Sequence, residues 1–185
     1  MRIVGGSRRG RRLLSPRSSA IRPTADRVRE SLFNVLGQQL DGGEVLDLYA
    51  GTGALSLEAL SRGAERAVLV DAAGEAAELC RKNAVALGFE GQATVLRLTA
   101  GGAVELLERQ GRHFALAFAD PPYAARAGSW LVGAVAPLLD EGGRLVVEHD
   151  RREELPEASA TLFRVDQRRF GDTVLSFYRA TPPKS

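Results

Sequence analysis

The sequence predicts an α/β domain built on a mostly parallel sheet, closed by an antiparallel hairpin and preceded by a short basic hairpin. Three observations carry this. From Glu44 onward, short apolar strands alternate with longer amphipathic helices, and crossovers of that kind lay successive strands side by side in parallel. A glycine-bearing turn, Gly51-Thr52-Gly53, stands where the first of these strands passes into a helix. The last two strands, at 160–169 and 173–180, are joined at Gly171-Asp172 with no helix between them, so they run antiparallel.

Taken in order, residues 2–14 read as a hairpin, with RIV and RRLLS flanking a turn between Gly5 and Gly10. Pro16 and the serine-rich stretch to Ala20 form a connector, which sets an arm at 1–20 apart from a main domain at 21–185. Thr24 is placed to cap a helix from Ala25 to Leu36, where Val28, Leu32, Val35 and Leu36 recur at helical spacing and Gly37 ends the run. Strands follow at 45–50 (VLDLYA), 67–71 (AVLVD), 93–98 (ATVLRL), 114–120 (FALAFAD) and 144–149 (RLVVEH). Helices fit between them at 53–62, 74–87, 101–110 and 127–139. With the closing hairpin the expected sheet has seven strands.

The chain has 185 residues, of which 44% are hydrophobic, enough to fill the core of one domain. No apolar run approaches the roughly 20 residues that cross a bilayer, and the basic N-terminus is not followed by the apolar segment of a secretory signal. Cys80 is the sole cysteine and His113 and His149 the only histidines, so neither an internal disulfide nor a protein-built metal centre is expected. A cytoplasmic protein without metal follows from these counts. Net charge is +2, but residues 1–30 hold nine arginines against Asp26 and Glu30, a local +7 that leaves −5 on the remainder. A basic arm on an acidic body suits an anionic partner, nucleic acid above all, although a merely solvated tail has the same composition.

Asp47-Leu48-Tyr49-Ala50-Gly51-Thr52-Gly53 sits at the carboxyl end of the first strand, where ligands of open α/β sheets bind. Glycine there lets backbone approach a ligand closely. A dinucleotide fingerprint needs a further glycine at position 56, which is Ser56, and Asp47 before the glycines suits a cationic, phosphate-free ligand better than a pyrophosphate. S-adenosylmethionine is such a ligand. Asp71 ends the second strand, where a carboxylate accepts ribose hydroxyl protons, or is simply solvated.

Asp120-Pro121-Pro122-Tyr123 directly follows the fourth strand. An exocyclic amine on a nucleobase is a poor nucleophile because its lone pair is delocalised into the ring. Asp120 and the Pro121 carbonyl provide two acceptors for its N–H groups, the double proline stiffens the loop, and Tyr123 can stack on an extruded base. Such chemistry requires neither metal nor covalent intermediate. The alternative is a proline-rich turn with no such role. Carbon-5 pyrimidine methylation would need a cysteine after the fourth strand, whereas Cys80 falls in a helix and reads as a packed small residue.

With these motifs in place, the sequence resembles the bacterial 16S rRNA guanine-N2 methyltransferases of the D type over nearly its whole length. The resemblance rests on MRIVGGSRRGRRLLSP at the start, IRPTADRVRESLFNVLG (21–37), VLDLYAGTGALSLEALSRGA (45–64), ADPPY (119–123), VVEHD (146–150) and RRFGDTVLSFYR (168–179). It implies a class I, Rossmann-like methyltransferase fold of seven strands with the basic hairpin as an N-terminal extension. By the same resemblance, Asp47, Tyr49, Gly51, Gly53, Asp71, Thr99 and Ala100 bind S-adenosylmethionine, and Asp120, Pro121, Pro122 and Tyr123 form the catalytic loop. Arg8, Arg9, Arg11, Arg12 and Arg22 would meet 16S rRNA in the small subunit; the resemblance leaves oligomeric state open, and a monomer suits so small a chain with so large a partner. Thr24, Asp26 and Arg29 would lie near the cofactor, or else cap and pair on the surface, and His149 has a structural rather than a catalytic place. One departure stands out: where the family usually carries a Gly-Asp for the adenine amine, this chain has Thr99-Ala100, and a weaker cofactor contact is expected there.

Other readings share parts of this pattern. A DNA adenine-N6 or cytosine-N4 methyltransferase uses the same Asp-Pro-Pro-Tyr chemistry but generally carries a separate recognition domain. A protein-glutamine methyltransferase usually has asparagine at the start of that loop. A non-catalytic RNA-binding assembly factor would have no need of Asp120, and a nicotinamide oxidoreductase is disfavoured by Ser56.

Overall fold

The structure, a computed structural model, describes residues 1–15, 26–122, 127–159 and 161–181. It divides into two compact units, Met1–Ala100 and Gly101–Ser185.

In the first unit β1 (Glu44–Leu48), β2 (Arg66–Val70) and β3 (Ala93–Leu96) lie in the order β3-β2-β1, all parallel, with Leu48 opposite Val70 and Val70 opposite Leu96. Four of the five residues in each of β1 and β2 are buried, the continuous apolar pattern of strands covered on both faces. The helices are α1 (Asp26–Leu36), α2 (Ala54–Ser61) and α3 (Gly74–Leu87), and α4 (Ala100–Arg109) begins at the unit's last residue. Helix α2 is buried on every side, which is why its sequence shows no polar face.

Helix α1 turns a different face inward from the one its valines suggested. The buried set is Arg29, Leu32, Phe33 and Leu36, while Val35 is 36% exposed. Arg29 tolerates burial because its guanidinium donates to the Arg2 carbonyl (2.6 Å) and the Asp26 carboxylate (2.7 Å). The expected cap, Thr24, lies outside the described residues.

Residues 2–14 do fold back on themselves, with Arg2 bridging Arg12 and a 3₁₀ turn at Gly6–Arg8. They are sewn to the unit behind them. Ile3 and Leu13 are in the core, 1% and 6% exposed. Glu58 of α2 accepts the Val4 and Gly5 amides (2.8 and 2.7 Å), and Ser61 Oγ donates to the Gly5 carbonyl and accepts the Arg8 amide (2.7 and 2.9 Å). Gly6 sits so close that a Cβ there would fall 1.8 Å from the Ser61 carbonyl oxygen, so no other residue fits. Asn83 of α3 takes both backbone groups of Leu14 (2.7 and 3.2 Å). The charge beneath is equally tied: Glu58 pairs with Arg62 (2.8 Å), whose guanidinium also reaches Gln38 Oε1 (2.6 Å) and stacks 4.6 Å from the Phe33 ring centroid.

In the second unit β4 (Phe114–Ala119), β5 (Leu139–Asp150), β6 (Ala158–Ser159), β7 (Leu162–Phe170) and β8 (Thr173–Ala180) take the order β4-β5-β8-β7-β6. Strands β4 and β5 are parallel; β5–β8, β8–β7 and β7–β6 are antiparallel. The closing hairpin pairs Phe170 with Thr173 across Gly171-Asp172. The described residues thus hold eight strands, and the one beyond the expected seven is the two-residue β6. Strand β5 starts five residues earlier than its apolar run, because Leu139 already pairs with Phe114 before a register shift ahead of Leu116. Helix α5 (Gly128–Val135) gives way to a 3₁₀ turn at Ala136–Leu138, since Pro137 has no amide to continue an α-helical ladder.

His149 is buried on β5. Its Nδ1 lies 3.0 Å from the Asp150 carbonyl, an acceptor only, so Nδ1 carries the proton and Nε2 accepts from Ser176 Oγ at 2.9 Å. Ser176 in turn accepts from Gln167 Nε2 (3.1 Å), and burial lowers the imidazole pKa, keeping the ring neutral within a satisfied cross-strand network. This is a structural place for His149.

Candidate active site

The carboxyl end of β1 carries the glycine turn, and nearly every peptide group in it has a partner. Ala50 N donates to the Val70 carbonyl (2.9 Å), Gly51 N to Asp71 Oδ2 (3.0 Å) and Gly53 N to the Ala50 carbonyl (2.7 Å). Cys80 Sγ donates to the Gly51 carbonyl (3.4 Å), and Asn83 Nδ2 to the Thr52 carbonyl (2.9 Å). Tyr49 is held at φ +66°, a left-handed conformation that costs a non-glycine residue about 1–2 kcal/mol. Such strain persists where surroundings over-determine the backbone, and it clusters at ligand sites. Gly53 is required twice over, by its φ of +78° and by Leu69 Cδ2, which would stand 2.8 Å from an added Cβ.

Two carboxylates flank the turn. Asp71, half-buried just beyond β2, uses Oδ2 for Gly51 N and Oδ1 for Ala73 N (2.9 Å), which fixes it at the strand edge with lone pairs to spare. Asp47, within β1, is 1% exposed and accepts Ser56 Oγ (2.9 Å) and Ser56 N (3.3 Å). Burial pushes its carboxyl up to about 7, the Asp71 charge adds to the rise, and the Ser56 bonds oppose it. Ser56, whose side chain the sequence offered only as a missing glycine, thus supports the buried acid. Asn83 and Cys80 were likewise missed; their one signal is their position on α3's inner face.

A raised acid pKa has a signed consequence. Between about pH 4 and pH 7 the folded chain keeps a proton on Asp47 that the unfolded chain releases, so this group makes stability fall as pH rises through that window. The drop, on the order of 4 kcal/mol for a shift of this size, is expected to vanish in Asp47→Asn. Thermal unfolding of both proteins from pH 5 to pH 8 checks it, and parallel curves would sink the assignment.

Thr99 stands immediately before α4 and is exposed, while Ala100, the helix's first residue, is buried. A hydroxyl side chain therefore stands at the residue that precedes α4, just beyond the end of β3.

In the second unit the buried strand β4 delivers Asp120 to its carboxyl end, half-buried, followed by buried Pro121 and exposed Pro122. Tyr123 lies outside the described residues, as does Arg22. Of the arm's arginines, Arg8 donates to the Leu87 carbonyl (2.7 Å) and lies 5.1 Å from the Phe89 ring centroid, and Arg11 donates to the Ala86 carbonyl (2.8 Å). Both thereby satisfy the carboxyl end of α3, where cations are favoured. Arg9 and Arg12 are exposed. Among the described residues no group of three His, Cys, Asp or Glu is placed to hold a metal ion, and no helix is long and apolar enough to cross a membrane.

The solved structure of the putative methyltransferase yhhF of Escherichia coli is similar, with a TM-score of 0.84 and 32% identity over 98% of both chains. Fold and strand edge together define a class I, Rossmann-like, S-adenosylmethionine-dependent methyltransferase. The family model described as Conserved hypothetical protein 95 matches residues 1–179. A putative rRNA methyltransferase, YlbH of Bacillus subtilis, is 37% identical over 97% of this chain and 98% of its own length. The ribosomal RNA small subunit methyltransferase D of Escherichia coli is 39% identical over 80% of this chain and 71% of its own. The chain belongs to this family, that of the small-subunit rRNA methyltransferases of the D type.

Proposed function

We propose that the chain transfers a methyl group from S-adenosylmethionine to the exocyclic N2 amine of a guanine in small-subunit rRNA. The observation that carries this is Asp120-Pro121-Pro122 at the carboxyl end of β4, in a chain whose first unit holds a glycine turn, with most of its peptide groups bonded, between two carboxylates. The residues fit the cofactor. Asp71 offers a fixed acceptor for ribose hydroxyls, the strained backbone from Tyr49 to Gly53 permits close approach, and Asp47, ionised above about pH 7, favours a cation. S-adenosylmethionine supplies an electrophilic methyl group on a positively charged sulfur.

The protein's own work is on the base. Asp120 and the Pro121 carbonyl accept the two N–H hydrogens of the amine, which pulls its lone pair out of conjugation and aims it. As the nitrogen–carbon bond formed, the methyl carbon–sulfur bond would break with S-adenosylhomocysteine as leaving group; the Asp120 carboxylate would stabilise the positive charge growing on nitrogen, and one proton would then leave to Asp120 or to water. Tyr123, outside the described residues, would stack on the extruded base, and the double proline would stiffen the loop that carries both acceptors.

The deciding experiment offers labelled S-adenosylmethionine with small subunits from a strain lacking the endogenous enzyme, beside naked rRNA and DNA. The expected product is N2-methylguanosine from the rRNA substrates. Label in DNA would replace the reading with a DNA amino-methyltransferase. Absence of label everywhere, with S-adenosylhomocysteine still bound, would favour the non-catalytic assembly factor.

A further inference from the structure

A cavity of about 570 Å³ opens between the N-terminal hairpin and the start of α1, lined by Met1, Arg2, Arg12, Leu13 and Asp26 among others. Its size falls in the range of about 300–1,000 Å³ that accommodates small-molecule ligands. The charge around it is out of balance. Arg2 and Arg12 are bridge partners, and residues opposite each other in an antiparallel pair project from the same face with Cβ atoms about 5 Å apart. Backbone bonds from Ile3 N to the Arg11 carbonyl (2.9 Å), Gly10 N to the Ile3 carbonyl (2.8 Å) and Leu13 N to the Met1 carbonyl (3.2 Å) lock that register.

Like charges placed directly opposite are destabilising. One carboxylate is at hand to offset them, and it is already committed: Asp26 Oδ1 takes the buried Arg29 at 2.7 Å, and Oδ2 lies 3.7 Å from Arg2 Nε. Among the described residues Arg12 has no ion-pair partner. An exposed pair of arginines held opposite each other by the backbone register, with a net positive surplus, is a ready receptor for phosphate, which the guanidinium fork matches geometrically.

We propose that this cavity seats one nucleotide of the RNA substrate, its phosphodiester between Arg2 and Arg12 and its sugar and base in the space bounded by Met1 and Leu13. The proposal rests on the rRNA reading above. The seat touches the cofactor turn directly, because Thr52 Oγ1 donates to Met1 Sδ at 3.6 Å, so a strand docked here is registered against the turn itself. It also shifts weight within the arm: Arg8 and Arg11 are engaged with the end of α3, whereas Arg2 and Arg12 line the cavity.

The test compares the wild type with an Arg2→Gln, Arg12→Gln double variant, using a mixed-sequence single-stranded 12-nucleotide RNA as probe across a salt series. The slope of log affinity against log salt is expected to become shallower by about 0.7 for each phosphate that is no longer neutralised. RNA affinity at low salt is expected to fall about tenfold, while S-adenosylhomocysteine affinity stays level. The unfolding temperature should hold or rise, because the repulsion between the two arginines is gone. An unchanged salt slope would overturn the proposal. So would a parallel loss of RNA and S-adenosylhomocysteine binding, or guanosine monophosphate competing as strongly as the oligomer, which would mark a free-nucleotide site. A wild type that shows the full slope difference yet methylates no rRNA would count against the function alone and leave the seat standing.

Discussion

Asp120→Asn is expected to lower kcat about a thousandfold while leaving S-adenosylhomocysteine affinity within about twofold of wild type, the scale seen when a single transition-state partner or proton acceptor is lost. The substitution keeps size and shape at a half-buried position, so the fold is not at stake. On the proposed mechanism it removes the negative charge that opposes the positive charge growing on the amine nitrogen, and it can turn an amide N–H toward the amine's own N–H. Because Asp71, Gly51 and Asp47 belong to a separate set of bonds around the glycine turn, cofactor affinity has no reason to follow. Single-turnover transfer to small subunits, with calorimetric titration of S-adenosylhomocysteine, separates the two quantities. A kcat within threefold of wild type would remove Asp120 from the chemistry.

Glu58→Ala is expected to cost about 3–5 kcal/mol of stability, the usual result of stripping one partner from a buried ion pair. Glu58 is fully buried, and its two oxygens take the Val4 amide (2.8 Å), the Gly5 amide (2.7 Å) and Arg62 Nε (2.8 Å). Its loss strands a guanidinium that is 2% exposed along with two backbone donors, each of which costs about 1–3 kcal/mol when left unmet in the interior. In a chain of this length that corresponds to an unfolding temperature lower by about 10 °C. Denaturant titration measures it, and a loss under about 1 kcal/mol would show that the hairpin is held by its apolar contacts and by Ser61 and Asn83 without need of Glu58. Glu58→Gln, which keeps acceptors for the amides, should fall between the two.

The two predictions differ in how visible their residues were beforehand. The place of Asp120 was legible because the signal is local: an acid and two prolines directly follow an apolar strand, and the structure sets them at the end of β4, while their catalytic role belongs to the proposal. Asp47, Asp71 and the glycines were placed in the same way, at strand ends. The alternation of β1 to β5 with helices was readable because strands covered on both faces are apolar throughout. Glu58, Arg62 and Arg29 carry no such signal. A buried charge is recognisable only beside its partner, and Glu58 finds Val4 and Gly5 more than fifty residues away. Ser56 counted only as a departure from a dinucleotide fingerprint, although its two bonds to Asp47 make it part of the site. The inward face of α1 was misjudged for a related reason, since ranking Arg29 as polar hid the i, i+3, i+4, i+7 stripe it forms with Leu32, Phe33 and Leu36.

The stitching of residues 3–14 onto α2 and α3 also fixes a sequence of events during synthesis. Val4, Gly5 and Arg8 find their partners at Glu58 and Ser61, Arg11 at Ala86 and Leu14 at Asn83, separations of 53 to 75 residues. Bonds between groups so distant in sequence close late, because loop entropy is lost before any bond compensates it. On the ribosome this arginine-rich stretch leaves the exit tunnel well ahead of the helices that will hold it. It therefore passes its first seconds as an unanchored polycation, beside the very class of polymer the finished enzyme is proposed to modify.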